Sequence, residues 1–461
     1  MRFSVFLLMV LWGVFMHSQN KELLYDFTDL PQSLISNPGT DVKFDYHLGV
    51  PFLSHFHLNV GLRGASLYDV FADDDRSIND KIAQTLHKLT SNDYITITQQ
   101  LALVDFGWRS KKNDKMYFSG GIYQELDVIG YFPKDFAVLA YQGNQDFLNQ
   151  PFRFSSINGS SELLAIYHFG YTKKINKKLT FGARAKLYSS MFHIRSAKNK
   201  GTFTTVETPQ GNNTYQHVIR NADVTVRTSG YRSLKDLEQK EVVDKLIGKA
   251  LLGGNLGLGV DLGFTHKINK QLVVTGSVND LGVIVYTKDV ETYQARGNYI
   301  FEGFETPIQF SGRNPQNFFD ELKKALSLDT LSTTYIAMRP LKLNGSMKYS
   351  FNRYDDGTCE CFQNGEQPPY MDAFGAQLFM QFRPKRPQYA ASLFYYKRLS
   401  NFLRTKVAYT IDDYSYFNIG FLMSIHINKI NFYLSANNLL EYANLAKARG
   451  ISLQLGFNVI M

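Results

Sequence analysis

At 461 residues the chain is longer than most single soluble domains, yet no stretch of it reaches the roughly 18 consecutive apolar residues of a membrane-spanning helix. Its net charge of +9 is dispersed, with lysine and arginine gathered mainly at turns, which excludes the continuous basic stripe of a nucleic-acid-binding surface. The 36 Phe and 28 Tyr stand against 2 Trp. The unremarkable mean hydropathy of −0.23 is compatible with a chain that alternates polar and apolar residues.

In chain order, Arg2 precedes the apolar run Phe3 to Met16 and the polar junction His17-Ser18-Gln19-Asn20. A charged start, a short apolar core and a small residue before a polar junction mark 1–18 as a signal peptide cleaved near Ser18. An exported chain without a helical span either stays soluble or sits in an outer membrane as a barrel. Residues 19–41 form an N-terminal extension, and strand patterning occupies 42–461.

The pattern is clearest in the last eleven residues. Ile451, Leu453, Leu455, Phe457, Val459 and Met461 share one face of a strand, and Ser452, Gln454, Gly456 and Asn458 the other. Strict alternation over about ten residues suits a strand with lipid on one side and a polar lumen on the other. The same period recurs at 179–187, 255–265, 374–383 and 417–427, with glycine repeatedly on the polar face. Strands are expected near 42–50, 56–63, 97–109, 115–125, 161–173, 179–195, 200–208, 216–227 and 255–266. More are expected near 271–286, 341–351, 372–383, 388–396, 402–410, 415–427, 430–437 and 450–461.

A turn element repeats as Phe169-Gly-Tyr-Thr-Lys-Lys-Ile-Asn-Lys-Lys-Leu-Thr-Phe181, as Leu262-Gly-Phe-Thr-His-Lys-Ile-Asn-Lys-Gln-Leu-Val-Val274 and, more loosely, as Ile425-His-Ile-Asn-Lys-Ile-Asn-Phe432. Each joins two alternating strands as a hairpin. An even number of strands separates successive copies, so these turns share one end, periplasmic in bacterial barrels. Seventeen candidate strands conflict with the even numbers usual there, and the weakest are 42–50, 56–63 and the pair 200–208/216–227. The expected fold is all-β: a transmembrane antiparallel barrel of 14 or 16 strands, with helical insertions in long loops. Those insertions are Ser66–Leu89, Ser233–Leu252 and Pro315–Leu328, where apolar residues recur at helical spacing. They serve either as lid, plug or docking surface, or simply to stabilise the loops.

Catalytic and metal chemistry have no visible support. The ten histidines lack a spaced serine or aspartate partner, and His168 and His426, expected to face the lumen, read as solvated polar groups. Cys359 and Cys361 are separated by one residue, too close for an unstrained disulfide, and lack further zinc ligands nearby. Gly253-Gly-Asn-Leu-Gly257-Leu-Gly259 leads into a strand rather than a helix, which removes the dinucleotide-binding reading. The chain reads as a non-enzyme with no cofactor and no metal. One feature of the lumen has two readings. Arg184, Lys186, Lys342, Lys348, Arg404 and Lys406 fall on polar faces. Together they either draw anions into the channel or pair with lumen acids such as Asp261.

Several short segments, taken in order, carry a resemblance. They are Leu30-Pro-Gln-Ser-Leu34, Asn37-Pro-Gly39, Phe132-Pro-Lys-Asp-Phe136, Tyr141-Gln-Gly-Asn144, Ser277-Val-Asn-Asp-Leu-Gly282, Tyr299-Ile-Phe-Glu-Gly303, Arg339-Pro-Leu-Lys-Leu-Asn-Gly345 and Phe432-Tyr-Leu-Ser-Ala-Asn-Asn-Leu439. The series resembles a family of outer-membrane barrels from Bacteroidota classed as a domain of unknown function. That family is similar to FadL-type fatty-acid transporters and to PorV-like barrels of type IX secretion. The resemblance implies a FadL-like barrel of 14 strands with an N-terminal segment folded into the lumen, here Asp29 to Gly39 with Pro31, Gln32, Asn37 and Pro38; the alternative is an ordinary periplasmic extension. It also implies an outer-membrane site in a diderm bacterium, lipid as a partner and passive uptake of a small hydrophobic or anionic ligand. The alternative is an accessory barrel acting through envelope protein partners in secretion or surface assembly. No FadL-type ligand motif is found in this sequence.

Overall fold

Alternation of apolar and polar residues, once closed by hydrogen bonds on both edges of every strand, produces a barrel. A computed structural model of the protein describes residues 22–207, 215–235, 237–301, 329–353 and 370–461. The signal peptide 1–18, the helix expected over Pro315–Leu328 and the cysteine pair Cys359/Cys361 lie outside the described residues.

The first half of the chain supplies β1 (Tyr46–Gly49), β2 (Phe56–Leu62), β3 (Tyr94–Arg109), β4 (Met116–Tyr131), the two-residue β5 (Phe152–Arg153), β6 (Gly159–Lys174), β7 (Leu179–Glu207) and β8 (Tyr215–Ser229). It continues with β9 (Asn255–Lys267), β10 (Leu272–Tyr286), β11 (Val290–Phe301), β12 (Asp329–Leu331), β13 (Tyr335–Met338) and β14 (Lys342–Arg353). The last six are β15 (Tyr370–Gln381), β16 (Gln388–Arg398), β17 (Leu403–Asp412), β18 (Asn418–Ile427), β19 (Ile430–Asn437) and β20 (Gly450–Ile460). All pairings are antiparallel. The sheet closes where β20, already paired with β19, takes β1 and β2 on its other edge, with His47 opposite Ile460 and Val60 opposite Ile451.

The barrel has 14 spanning strands, and the two doubtful pairs explain the difference from the 17 candidates. The segments expected at 42–50 and 56–63 are two halves of one spanning strand, because β1 and β2 both pair with β3 and β20. Pro51 offers no N–H to the ladder, and the chain bulges out there, with Phe52 in the left-handed region at φ 63°. The pair 200–208/216–227 is a hairpin above the barrel. β7 pairs with β9 as far as Ser190 opposite Asn255, then with β8 from His193 opposite Ser229, and β8 continues to β11 and β12.

The repeated turns gather at one end. Lys174 faces Thr180, Lys267 faces Val273 and Ile427 faces Ile430, beside Tyr46 and Ile460. The opposite end carries helices α2 (Leu67–Phe71) and α3 (Ile78–Lys88), where one helix was expected over Ser66–Leu89. Ser77 restarts the chain there by accepting from the Asp80 N–H. Helix α4 (Lys134–Gln142) had no counterpart in the sequence reading, and α5 (Gln239–Gly248) occupies the expected Ser233–Leu252 stretch. The short α1 (Ser33–Ser36) lies inside the barrel.

No helix of the described residues is long and apolar enough to cross a membrane; the strands do so instead. Along β9 every second residue points outward, with Leu258 68% exposed between buried Gly257 and Gly259. Leu378, Leu393, Met338 and Ile336 continue this band of outward apolar side chains around the wall. Such a band is stable only against lipid.

Candidate functional site in the barrel lumen

Residues 22–44 enter the lumen from the short-turn end and fill its lower half. Leu23, Leu24, Phe27 and Leu30 are essentially fully buried and pack on Phe394, Ala408, Leu422 and Tyr433 of the wall. Backbone carbonyls of this inner segment are satisfied by wall side chains, as buried backbone groups must be. Gln377 Nε2 donates to the Glu22 carbonyl (2.8 Å), Ser277 Oγ and Asn279 Nδ2 to that of Ser36 (both 2.7 Å), and Thr265 Oγ1 to that of Gly39 (2.8 Å).

The four inner-segment residues singled out from the sequence lie in this contact. Gln32 and Asn458 exchange amide hydrogen bonds (2.9 and 3.2 Å), and Gln32 Nε2 also donates to the Ser54 carbonyl. The Pro31 carbonyl accepts from Leu34 N–H at the start of α1. Asn37 Nδ2 donates to the Phe264 carbonyl (3.2 Å) while its Oδ1 accepts from Gly39 N–H (2.8 Å), and Thr172 Oγ1 donates to the Pro38 carbonyl (2.7 Å). This turn lies directly on wall glycines. A Cβ on Gly182 would collide with the Pro38 carbonyl, and one on Gly263 with Asn37 Oδ1. Glycine on the polar face of these strands therefore makes room for the inner segment.

The six basic residues all point inward, and each has a partner. Three hold the inner segment: Lys348 donates to the Asp26 carbonyl (3.0 Å), Lys406 to the carbonyls of Tyr25 (2.7 Å) and Glu22 (3.2 Å), and Arg404 pairs with Asp29 (3.5 Å). Arg184 bridges, donating to the Leu34 and Ile35 carbonyls and pairing with Asp261 (3.3 Å). Lys186 pairs with Asp261 (2.8 Å) and Asp280 (2.6 Å), and Lys342 with Asp280 (2.8 Å) and Glu125 (3.5 Å).

Arg339 completes a network that reading the sequence missed, pairing with Glu125 (2.6 Å) and Glu162. Four cations thus meet Glu125, Glu162, Asp261 and Asp280, so their formal charges balance. Asp280 reaches the centre because β10 bulges between Val278 and Leu281, with Asp280 at φ 62°, which turns it and Asn279 both into the lumen. Two consecutive polar residues in an alternating strand were the available signal. A cavity of about 40 Å3 lies between this network and Ile35-Ser36. His168 also faces inward, its ring 5.6 Å from that of Tyr123.

Near the short-turn mouth two acids of the inner segment, Asp29 and Asp41, are held ionised. Burial alone would raise the Asp29 carboxyl, but Lys43, Arg404 and the Tyr396 hydroxyl hold it well below the usual carboxylate range. Burial likewise opposes ionisation of Asp41, and Lys267 and Lys174 reverse the effect.

A family of unknown function, DUF5723, matches residues 38–437. The chain belongs to this family. The match spans the wall from the Pro38 turn to the end of β19. No curated protein matches the chain. Among solved structures it is similar to the Pseudomonas putida toluene transporter TodX, at 12% identity and TM-score 0.38, over 93% of this chain and 92% of that one. It is similar to the Ralstonia pickettii toluene transporter TbuX, at 10% identity and TM-score 0.41, over 94% of each. A Pseudomonas aeruginosa FadL homologue aligns at 8% identity and TM-score 0.44, over 93% and 94%.

Proposed function

We propose that the protein is an outer-membrane barrel for uptake of a small hydrophobic molecule, resting closed with residues 22–44 as a plug in its lumen. The observation that carries this reading is a depression of about 460 Å3 in the lipid-facing wall. Its sides are apolar (Phe106, Ile122, Tyr167, Phe169), and Gly121, together with His168 and Lys186, whose side chains belong to the lumen, forms part of its lining. At this point little more than backbone separates lipid from lumen. An apolar solute gains about 25 cal/mol for each Å2 it withdraws from water into such a surface. The balanced pairing of Arg184, Lys186, Arg339 and Lys342 removes these four from an anion-attracting cluster, because a neutral network does not concentrate anions.

The second reading, an accessory barrel working through envelope proteins, draws on the filled lumen itself. Native mass spectrometry of the barrel released from its own membrane separates the two. Uptake is supported by an apolar adduct on the wild type that is lost in Ala185→Trp, a variant that fills the depression from a wall position lining it. A bare chain carrying other envelope proteins would overturn uptake in favour of the accessory role.

A further inference from the structure

Helix α5 and the turn after it present an apolar face that the described residues leave uncovered. None of the helix's residues is buried. Val243 and Ile247, 49% and 52% exposed, lie four residues apart on one line of the helix, flanked by Val242 and Leu246, and Leu251, 69% exposed, follows in the turn after it. Glu241 and Lys245 occupy the other side, and Lys240 and Asp244 border the line. A contiguous exposed apolar line of this kind marks an interaction surface rather than a water-facing one.

The location of the helix identifies what covers that face. Along β6, Ile166 and His168 point inward, so Tyr167 between them points out of the barrel; likewise Ser189 points outward between Tyr188 and Ser190 of β7. The Tyr167 hydroxyl donates to the Ala250 carbonyl (3.0 Å) and Ser189 Oγ to the Lys249 carbonyl (2.6 Å). The turn Lys249–Gly253 is therefore pinned against the outside of the wall. Ser189 lies opposite Leu256, the uppermost outward leucine of β9, so the pin sits at the upper edge of the lipid-facing band. The polar side is tied to the loops above, with Lys249 paired to Asp289 (2.9 Å) and Lys245 donating to the Ser233 carbonyl (2.9 Å).

We propose that α5 lies in the plane of the membrane surface at the outer rim of the barrel, with Val243, Ile247 and Leu251 among the acyl chains of the outer leaflet. The apolar line continues the lipid-facing band at Leu256 and Leu258, and Lys240 beside it suits phosphate-bearing headgroups. Interfacial helices of this kind bury their apolar face roughly 5–10 Å into the boundary region. The helix anchors this part of the rim in the leaflet, independent of what the lumen carries.

The test uses the full chain, with both native cysteines replaced by serine, reconstituted in phosphatidylcholine vesicles. Ile247→Cys, or in a second variant Glu241→Cys, carries an environment-sensitive nitrobenzoxadiazole label. Both sites are exposed, so the barrel tolerates them. The expected result is loss of emission at position 247, and not at 241, in vesicles of lipid brominated near the headgroup. Weaker loss is expected at 247 with lipid brominated near the chain ends. Equal emission at both positions in brominated and plain vesicles would overturn the proposal. So would quenching at 247 by added soluble iodide that is as strong as at 241.

Discussion

Replacing Leu30 by alanine isolates the docking of the inner segment. Leu30 is fully buried between Phe27 and the wall cluster of Phe394, Leu422 and Tyr433. Truncating a buried leucine costs about 2–5 kcal/mol, the spread reflecting how far the site collapses. That penalty falls on the docked state alone, because an undocked Leu30 is solvated in both proteins. At about 1.4 kcal/mol per tenfold, the undocked population rises about 30- to 4,000-fold. Hydrogen exchange reads this directly. The Leu30, Ser33 and Asn37 amides are bonded within the segment, and exchange tracks the open population when reclosing is fast. Those amides should accelerate by that factor while strand amides of β9 and β20 keep their rates. Unchanged exchange at 30–37 would refute the docking argument, as would equal acceleration of the strands, which would mean that Leu30 supports the whole barrel.

Two further outcomes follow from the charges. Asp280→Asn removes the carboxylate shared by Lys186 (2.6 Å) and Lys342 (2.8 Å). Breaking such a buried pair costs about 3–5 kcal/mol, so the urea midpoint of the barrel should fall, and adding Lys342→Met should recover part of the loss. Asp29 and Asp41 have carboxyls depressed in the docked state. A depressed value means that their contribution to docking is complete at neutral pH and is lost only as pH falls through the depressed range. In a peptic digestion series the inner segment should therefore resist at about pH 4, the ordinary carboxylate value, and yield only well below it. Release already at about pH 4 would contradict the pairing.

The wall was legible because lipid on one side and polar lumen on the other impose a period of two that few other environments impose. That is why β9 and β20 could be read residue by residue. Where a strand is interrupted, the pattern misleads. β1 and β2 read as two strands because alternation restarts on each side of Pro51, and nothing local says that both halves share β20, about 400 residues away, as a partner. The upper part of β7 alternates like a spanning strand, since a free-standing hairpin obeys the same pleat. In the lumen, inward-facing cations were identifiable by parity, whereas their partners were not. Asp280 is displaced by a bulge, and Arg339 lies at the break before Pro340, outside any alternating run. The role of residues 22–44 rests on contacts with strands far along the chain, Asn458 for Gln32 and Phe264 for Asn37, which no local pattern encodes.

The most direct test of a barrel filled by its own N-terminal segment is proximity of Gln32 to Asn458, whose amides meet at 2.9 Å. In protein freed of its native cysteines and held in intact envelopes, the double variant Gln32→Cys/Asn458→Cys should be joined within one chain by a short thiol-specific cross-linker. In the single variant Gln32→Cys, the introduced thiol should resist a bulky maleimide until the barrel is denatured. Rapid labelling of that thiol in the native envelope, with no cross-link in the double variant, would place residues 22–44 outside the lumen and contradict the structure's central feature.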